Sequence, residues 1–278
     1  MNLLSSSLEK PTEIDVSSYS RWQDIFRTWF WRYYDHLFQL VFCNLGWFLS
    51  CFCVEWLSGF LGMFSKNQPS GWFGIYLFYL AECAVSVGWA LAVFKIIMED
   101  EANWSVLLSG VRRYFRKAVA LSALSGFVLG LALFNLRFYL SLPLAAHLWI
   151  LPLVGLVATI FICGLMVTLY QWPILFFQDP SLGKIYYRSF VITLGAGPNS
   201  FLLLILSSLF MVLFFVEPFL WFFVGFTLLF SLYVVALEKH FLRYKITYQA
   251  KSIGEYLEFM DKERQRGWRN IFRPWEMR

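Results

Sequence analysis

Apolar residues in this chain come in long unbroken blocks rather than at the i, i+3, i+4, i+7 rhythm of a helix half-buried in water. The run Phe201 to Phe215 contains no charged residue, and neither does Leu148 to Phe177. About 20 apolar residues at 1.5 Å rise each cross the roughly 30 Å hydrocarbon layer of a bilayer. The pattern predicts six spans, at 37–61, 71–97, 118–136, 147–177, 199–216 and 218–238. The expected fold is all-α: a polytopic transmembrane helical bundle with interfacial amphipathic helices. Pro152 and Pro173 fall in the fourth span, and Pro173 removes a backbone donor near its end, which predicts a kink.

Three segments outside the blocks have helical patterning of their own. In 19–36, Trp22, Ile25, Phe26, Trp29 and Phe30 share one face, with Asp24 and Arg27 opposite, as in a helix lying in the headgroup region. In 102–117, Trp104, Leu107, Leu108, Val111 and Phe115 form one face, and Arg112, Arg113 and Arg116 point another way. From 239 the chain reads as an extension of the sixth span and ends with Trp268, Ile271, Phe272 and Trp275 among Arg266, Arg269 and Arg273. The chain therefore divides into an N-terminal segment (1–36), a six-span domain (37–238) and a C-terminal helix and tail (239–278). The second and fourth spans each end in an acidic turn, Glu99-Asp100-Glu101 and Gln178-Asp179-Pro180, followed by a short basic helix and an outgoing span, a faint internal repeat.

Composition makes the same case. Of 278 residues, 59% are hydrophobic and 15% charged, against roughly 45–50% and about 25% in soluble domains. A chain this short has too much surface for the excess to be buried in a core. Charge then sets the orientation. Of the 23 Lys and Arg, 21 precede span one, join spans two to three and four to five, or follow span six. Only Lys66 and Arg137 fall on the other side. By the positive-inside rule both termini are expected in the cytoplasm. Residues 1–20 have no hydrophobic run of the signal-peptide kind.

Candidate chemistry is sparse. Charged and polar groups at bilayer depth are costly and so are functional candidates by default. Glu82 lies about eleven residues into span two, Glu55 in the outer part of span one, and Asn44 and Gln171 nearer the inner half. Antiparallel spans one and two allow Glu82 and Glu55 to face one another across an outward cavity, as a cation- or proton-coupled carrier requires; the bland reading is a protonated Glu82 bonded to a neighbouring helix. Lys95 and Glu238 lie near inner ends, where long side chains reach water. Ser122, Ser125, Gly126 and Gly130 in span three read as a small-residue packing stripe. The three histidines and five cysteines show no metal-ligand spacing, and neither a phosphate loop nor a nucleophile elbow is present. No cofactor, no enzymatic activity and no nucleic-acid partner are expected. The basic surfaces fit anionic lipid, or docking of another membrane subunit or a second copy of the chain, with Trp22, Trp29, Arg112, Arg113, Arg116, Trp268, Arg269, Phe272 and Trp275 as contact residues.

Several motifs resemble the YesL-like family of bacterial membrane proteins over about residues 28–245. They are Asn44-Leu45-Gly46-Trp47-Phe48-Leu49-Ser50, the basic segment Arg112-Arg113-Tyr114-Phe115-Arg116-Lys117, and the series Gln171-Trp172-Pro173-Ile174-Leu175, Asp179-Pro180-Ser181-Leu182, Ser189-Phe190 and Gly197-Pro198-Asn199. The chain lacks the Pro-x-x-Thr-Ile-Gly-Pro-Ala series that follows span one in that family. The resemblance implies a bacterial inner (cytoplasmic) membrane location and a non-enzymatic accessory or structural subunit of a membrane complex linked to carbohydrate or solute transport, and supplies no catalytic residues. The alternative expectation is a small solute carrier or channel in its own right, lined by Glu82, Glu55, Asn44 and Gln171.

Overall fold

At bilayer depth every backbone N–H and C=O has to find its partner inside its own segment, so apolar blocks of this length fold as helices. In the computed structural model, residues 22–64, 71–100, 105–141 and 144–243 are described, and every regular element among them is helical. In chain order these are α1 (Trp22–Asp35), α2 (Leu37–Phe64), α3 (Gly71–Glu99), α4 (Ser105–Leu140), α5 (Leu144–Gln178), α6 (Leu182–Gly195), α7 (Gly197–Val216), α8 (Pro218–Leu220) and α9 (Phe226–Arg243). A π-helical turn, Trp221–Gly225, joins α8 to α9. Six of the helical stretches are long and apolar enough to span a membrane: α2 to α5, α7, and α8 through α9. The chain is a multi-pass membrane protein.

Two differences from the sequence pattern matter. The basic segment before span three and the span itself are one continuous helix, α4, because no Gly or Pro interrupts the helical periodicity between Arg112 and Ala120. The last span contains the π-turn, which widens the helix just where it leaves Pro218. The tail continues α9 as far as Arg243; its later part, with Trp268, Arg269, Phe272 and Trp275, lies outside the described residues.

Helices α3 and α9 form the interior, 56% of each spanning window being buried against 11–22% in the others. Phe94 of α3, Tyr114 of α4, Phe176 of α5 and Phe230 of α9 interlock there. α3 and α4 approach closely at Gly88 and Gly110: a Cβ on Gly88 would stand 2.8 Å from the Leu107 carbonyl oxygen, and one on Gly110 3.3 Å from Gly88 Cα. Outward-facing Phe127, Leu131 and Phe134 on α4, Leu156 and Ile160 on α5, and Leu209, Val212 and Phe215 on α7 leave an apolar exterior suited to lipid chains.

One end of the bundle gathers the turns. Asp100 and Asp179, directly after α3 and α5, are the two non-glycine residues with positive φ among those described (56° and 45°). Asp100 pairs with His36 at the α1–α2 junction (2.9 Å). Asp179 takes bonds from Lys117 (2.5 Å) and Arg113 (2.9 Å) of α4. The two acidic turns thus share a backbone conformation and a carboxylate that ties the turn to a neighbouring helix.

Candidate functional site

Between α3, α4, α5 and α9 lies a cavity of about 300 Å³. Each wall follows from helical spacing. Glu82 and Cys83, and Ser86 one turn later, come from α3; Ser122 and Ser125 come from α4; Thr168, Leu169, Gln171, Trp172 and Pro173 come from α5; Phe226, Phe230 and Tyr233 come from α9. Glu82 stands 17 residues before the end of α3 at Glu99, and Gln171 seven before the end of α5 at Gln178. At 1.5 Å per residue these are about 26 and 10 Å from the basic end. The cavity therefore runs obliquely through the interior, with the carboxylate towards the far end and the amide towards the basic end.

The amide end is a hydrogen-bonded floor. Ser125 Oγ donates to Gln171 Oε1 at 2.8 Å and lies 2.9 Å from the Tyr186 hydroxyl, which donates to the Leu121 carbonyl. On the α3 wall, Trp47 Nε1 donates to Ser86 Oγ (2.7 Å), and Ser86 Oγ to the Glu82 carbonyl. Tyr233 donates to Ser207 (2.9 Å) and keeps its ring against the cavity. Pro173 has no N–H, so the carbonyl of Leu169, another lining residue, lacks its usual i+4 helical donor. The Glu82 side chain is half-buried, and no described side chain donates a hydrogen bond or ion pair to it. Glu55, exposed on α2, is within electrostatic range of Glu82.

The polar residues singled out from sequence therefore divide. Glu82 and Gln171 are on the cavity wall, with Glu55 near Glu82. Asn44 is fully buried but serves the π-turn: its Nδ2 donates to the carbonyls of Trp221 (2.9 Å) and Phe222 (2.7 Å), and its Oδ1 accepts from the Thr227 N–H (3.1 Å). Widening a helix by one residue breaks the regular ladder, and a carboxamide has the donors and acceptor to bridge the gap.

The contact residues divide as well. Trp29 is buried inside the chain, its Nε1 bonded to Ser231 of α9 (2.9 Å), while Trp22 is half-buried beside the same packing cluster. Two more side chains hold α1 across α9: Tyr33 to Thr227 (3.2 Å) and Arg32 to Glu238 (2.7 Å). Burial pushes the Tyr33 phenol up to about 12 despite that bond, so it stays a neutral partner. Arg112 and Arg116 are exposed on α4, next to exposed Leu108 and Phe115. Arg113 is turned onto Asp179 and lies 5.1 Å over the Tyr114 ring. Partial burial raises the Asp179 carboxyl, but the bonds from Lys117 and Arg113 outweigh it and hold the group below its ordinary value.

Ser86, Thr168 and Tyr233 were not singled out from sequence, and Ser122 and Ser125 were read only as packing. The signal was the spacing: residues 82, 83 and 86, 122 and 125, and 168 and 171 each place polar groups on one face of an apolar span. Gly130 of the same small-residue stripe faces open space. Among the described residues no group of three or more His, Cys, Asp or Glu is arranged to hold a metal ion.

No relative is found. Neither the family models, nor the curated proteins, nor the solved structures contain a match to this chain.

Proposed function

We propose that this protein binds a small polar solute at the Glu82 cavity and carries it across the membrane, without chemistry on the solute. The observation behind this reading is the cavity itself: a space at bilayer depth with a carboxylate, hydroxyls and an amide among its lining residues. Polar groups in hydrocarbon are costly, and a bundle held together by packing alone needs none of them around an open space. About 300 Å³ is at the small end of ligand-site volumes. The distribution of Lys and Arg supports cytoplasmic termini, in the bacterial inner membrane that the YesL-like resemblance implies, which makes the Glu82 end the one nearer the outside.

Cys83, on the cavity wall, offers the test. In a variant with the other four cysteines (Cys43, Cys51, Cys53, Cys163) replaced by alanine, Cys83 is expected to react with neutral, water-soluble 2-hydroxyethyl methanethiosulfonate in native membranes. Reaction no faster than that of a lipid-facing control cysteine would mean the cavity is dry, and the carrier reading would fall.

A second reading, an accessory subunit in a solute-transport complex, draws on the motifs that resemble those of YesL-like proteins and on the exposed stripe Leu108, Arg112, Phe115, Arg116 on α4. Apolar and cationic side chains alternate along that stripe, as where a helix surface meets lipid headgroups or a partner's membrane edge. Purification in mild detergent with mass spectrometry of what stays bound separates the readings. A stoichiometric transporter that is lost from an R112A/R116A variant favours the subunit.

A further inference from the structure

We infer that the ligand of the Glu82 cavity is an organic monocation, an amine or quaternary ammonium with a small apolar body. The inference rests on the carrier reading and specifies its substrate class. Among the described residues the wall carries one carboxylate and no Lys, Arg or His, so an anion would meet repulsion there and no described counter-charge. Among the described side chains nothing neutralises Glu82, and Glu55 nearby adds negative potential at the same end. A cation supplies the missing partner.

The other walls suit the body of such a ligand. Trp172, Phe226, Phe230 and Tyr233 present aromatic rings, and a desolvated ammonium near aromatic faces gains from cation–π attraction. Ser86 and Ser122 hydroxyls, together with the Leu169 carbonyl that Pro173 leaves without a helical donor, supply acceptors for ammonium N–H groups. A metal ion fits poorly, because a hard divalent cation needs six or more oxygen ligands converging on one point, whereas this wall has a single carboxylate and spreads its other oxygens along an oblique space.

The experiment uses the full-length chain with Cys83 as its one cysteine, in native membranes, and compares three thiol reagents of similar size. These are the cationic trimethylammonium-ethyl, the neutral hydroxyethyl and the anionic sulfonatoethyl methanethiosulfonates, each rate divided by that of the free reagent with a small thiol. One charge close to Glu82, at an effective dielectric of about 20, is expected to favour the cationic over the neutral reagent by tenfold or more. Glu82→Gln should lower that ratio several-fold, leaving only the weaker preference due to Glu55, and tetraethylammonium should protect Cys83 in the parent and not in the Gln variant. If all three reagents react at comparable normalised rates, or the anionic one leads, the cation assignment is overturned while the aqueous cavity stands. If none reacts, the carrier reading itself has failed. Should the four alanine substitutions prevent folding, the difference in labelling between the wild-type chain and Cys83→Ser gives the same ratios.

Discussion

Asn44→Ala is expected to destabilise the bundle by about 3 kcal/mol, far more than an exposed asparagine on an α-helix. Asn44 serves three backbone groups, the carbonyls of Trp221 and Phe222 and the N–H of Thr227, from a site with no solvent exposure. A buried hydrogen bond is worth about 1 kcal/mol net, and leaving its partner unsatisfied costs about 1–3 kcal/mol. Side-chain bonds between membrane helices average only about 0.6 kcal/mol, because the partners usually find substitutes, which would give about 2 kcal/mol for three. Here the usual escape is closed. Tightening the π-turn to α geometry would rotate everything after it by about 100°. Thr227, Ser231 and Glu238 would then leave Tyr33, Trp29 and Arg32, the three contacts that hold α1 to α9. The loss therefore belongs at the upper figure. Asn44→Asp keeps the acceptor for Thr227 but places a carboxylate against two carbonyl oxygens, and should be worse than Ala. Unfolding by SDS titration in mixed micelles measures these differences. Asn135→Ala is the control, since Asn135 is only partly buried and among the described residues its side chain bonds the Leu131 carbonyl of its own helix (2.8 Å); it should cost under about 0.5 kcal/mol. An Asn44→Ala value as small as the control's would refute the bridging role and the reason given for the π-turn.

Three further outcomes are expected. Arg32→Met or Glu238→Gln alone should destabilise by about 3–5 kcal/mol, because the pair is buried (side chains 7% and 2% exposed); a double-mutant cycle should return a coupling above about 1 kcal/mol, and a coupling near zero would show that the two act independently. Asp179 is held below its ordinary value, so its tether to Lys117 and Arg113 is present above the unfolded carboxyl pKa, about 3.9, and is lost as pH falls through the lower folded value. Asp179→Asn should lower the unfolding midpoint at pH 7 and make no difference well below pH 4; a gap that persists in acid would mean the residue acts by shape alone. Gly88→Ala should weaken α3–α4 packing by about 1–3 kcal/mol, because the new Cβ meets a backbone oxygen at 2.8 Å, while Gly130→Ala, with open space around it, should be neutral or gain up to about 1 kcal/mol. Equal effects at the two glycines would rule out close approach as the reason for Gly88.

The spans were legible because bilayer depth leaves few choices: uncharged blocks of sufficient length become helices, and their ends fall where charge returns. Side-chain roles inside the bundle were less legible, for reasons visible at particular residues. Asn44 looked like the wall of a path, but polarity at depth does not say whether a side chain serves solute or backbone, and nothing in Trp221–Gly225 announces a π-turn. Glu238 looked like a group reaching for water. Its partner Arg32 is 206 positions away, and periodicity carries no information over that distance. Trp29 belongs to an amphipathic helix, and the apolar face of such a helix looks the same whether it meets lipid, a partner or its own chain. Glu82 and Gln171 could be picked out because a charge or amide in an apolar block is rare, but that they share one cavity depends on how α3 and α5 are rotated, which no single helix determines.

The central position of α9 connects these observations. One face of this helix lines the cavity through Phe226, Phe230 and Tyr233. Its other contacts are fixed polar ones: Thr227 to Asn44 and Tyr33, Ser231 to Trp29, and Glu238 to Arg32. These alternate with the cavity residues along little more than three turns, so a rotation of α9 large enough to close the cavity must break bonds to both α1 and α2. α5 differs: its outer half, residues 151–165, has no buried side chain, while residues 173–177 are packed in the interior, and where the packed part begins Pro173 deletes one rung of the backbone ladder beside the cavity floor. Access to the Glu82 cavity is therefore expected to depend on movement of α5 against a fixed α3–α9 pair. Pro173→Ala, which restores the rung to Leu169, should slow modification of Cys83 while raising thermal stability. Faster modification, or a loss of stability, would place the moving part elsewhere.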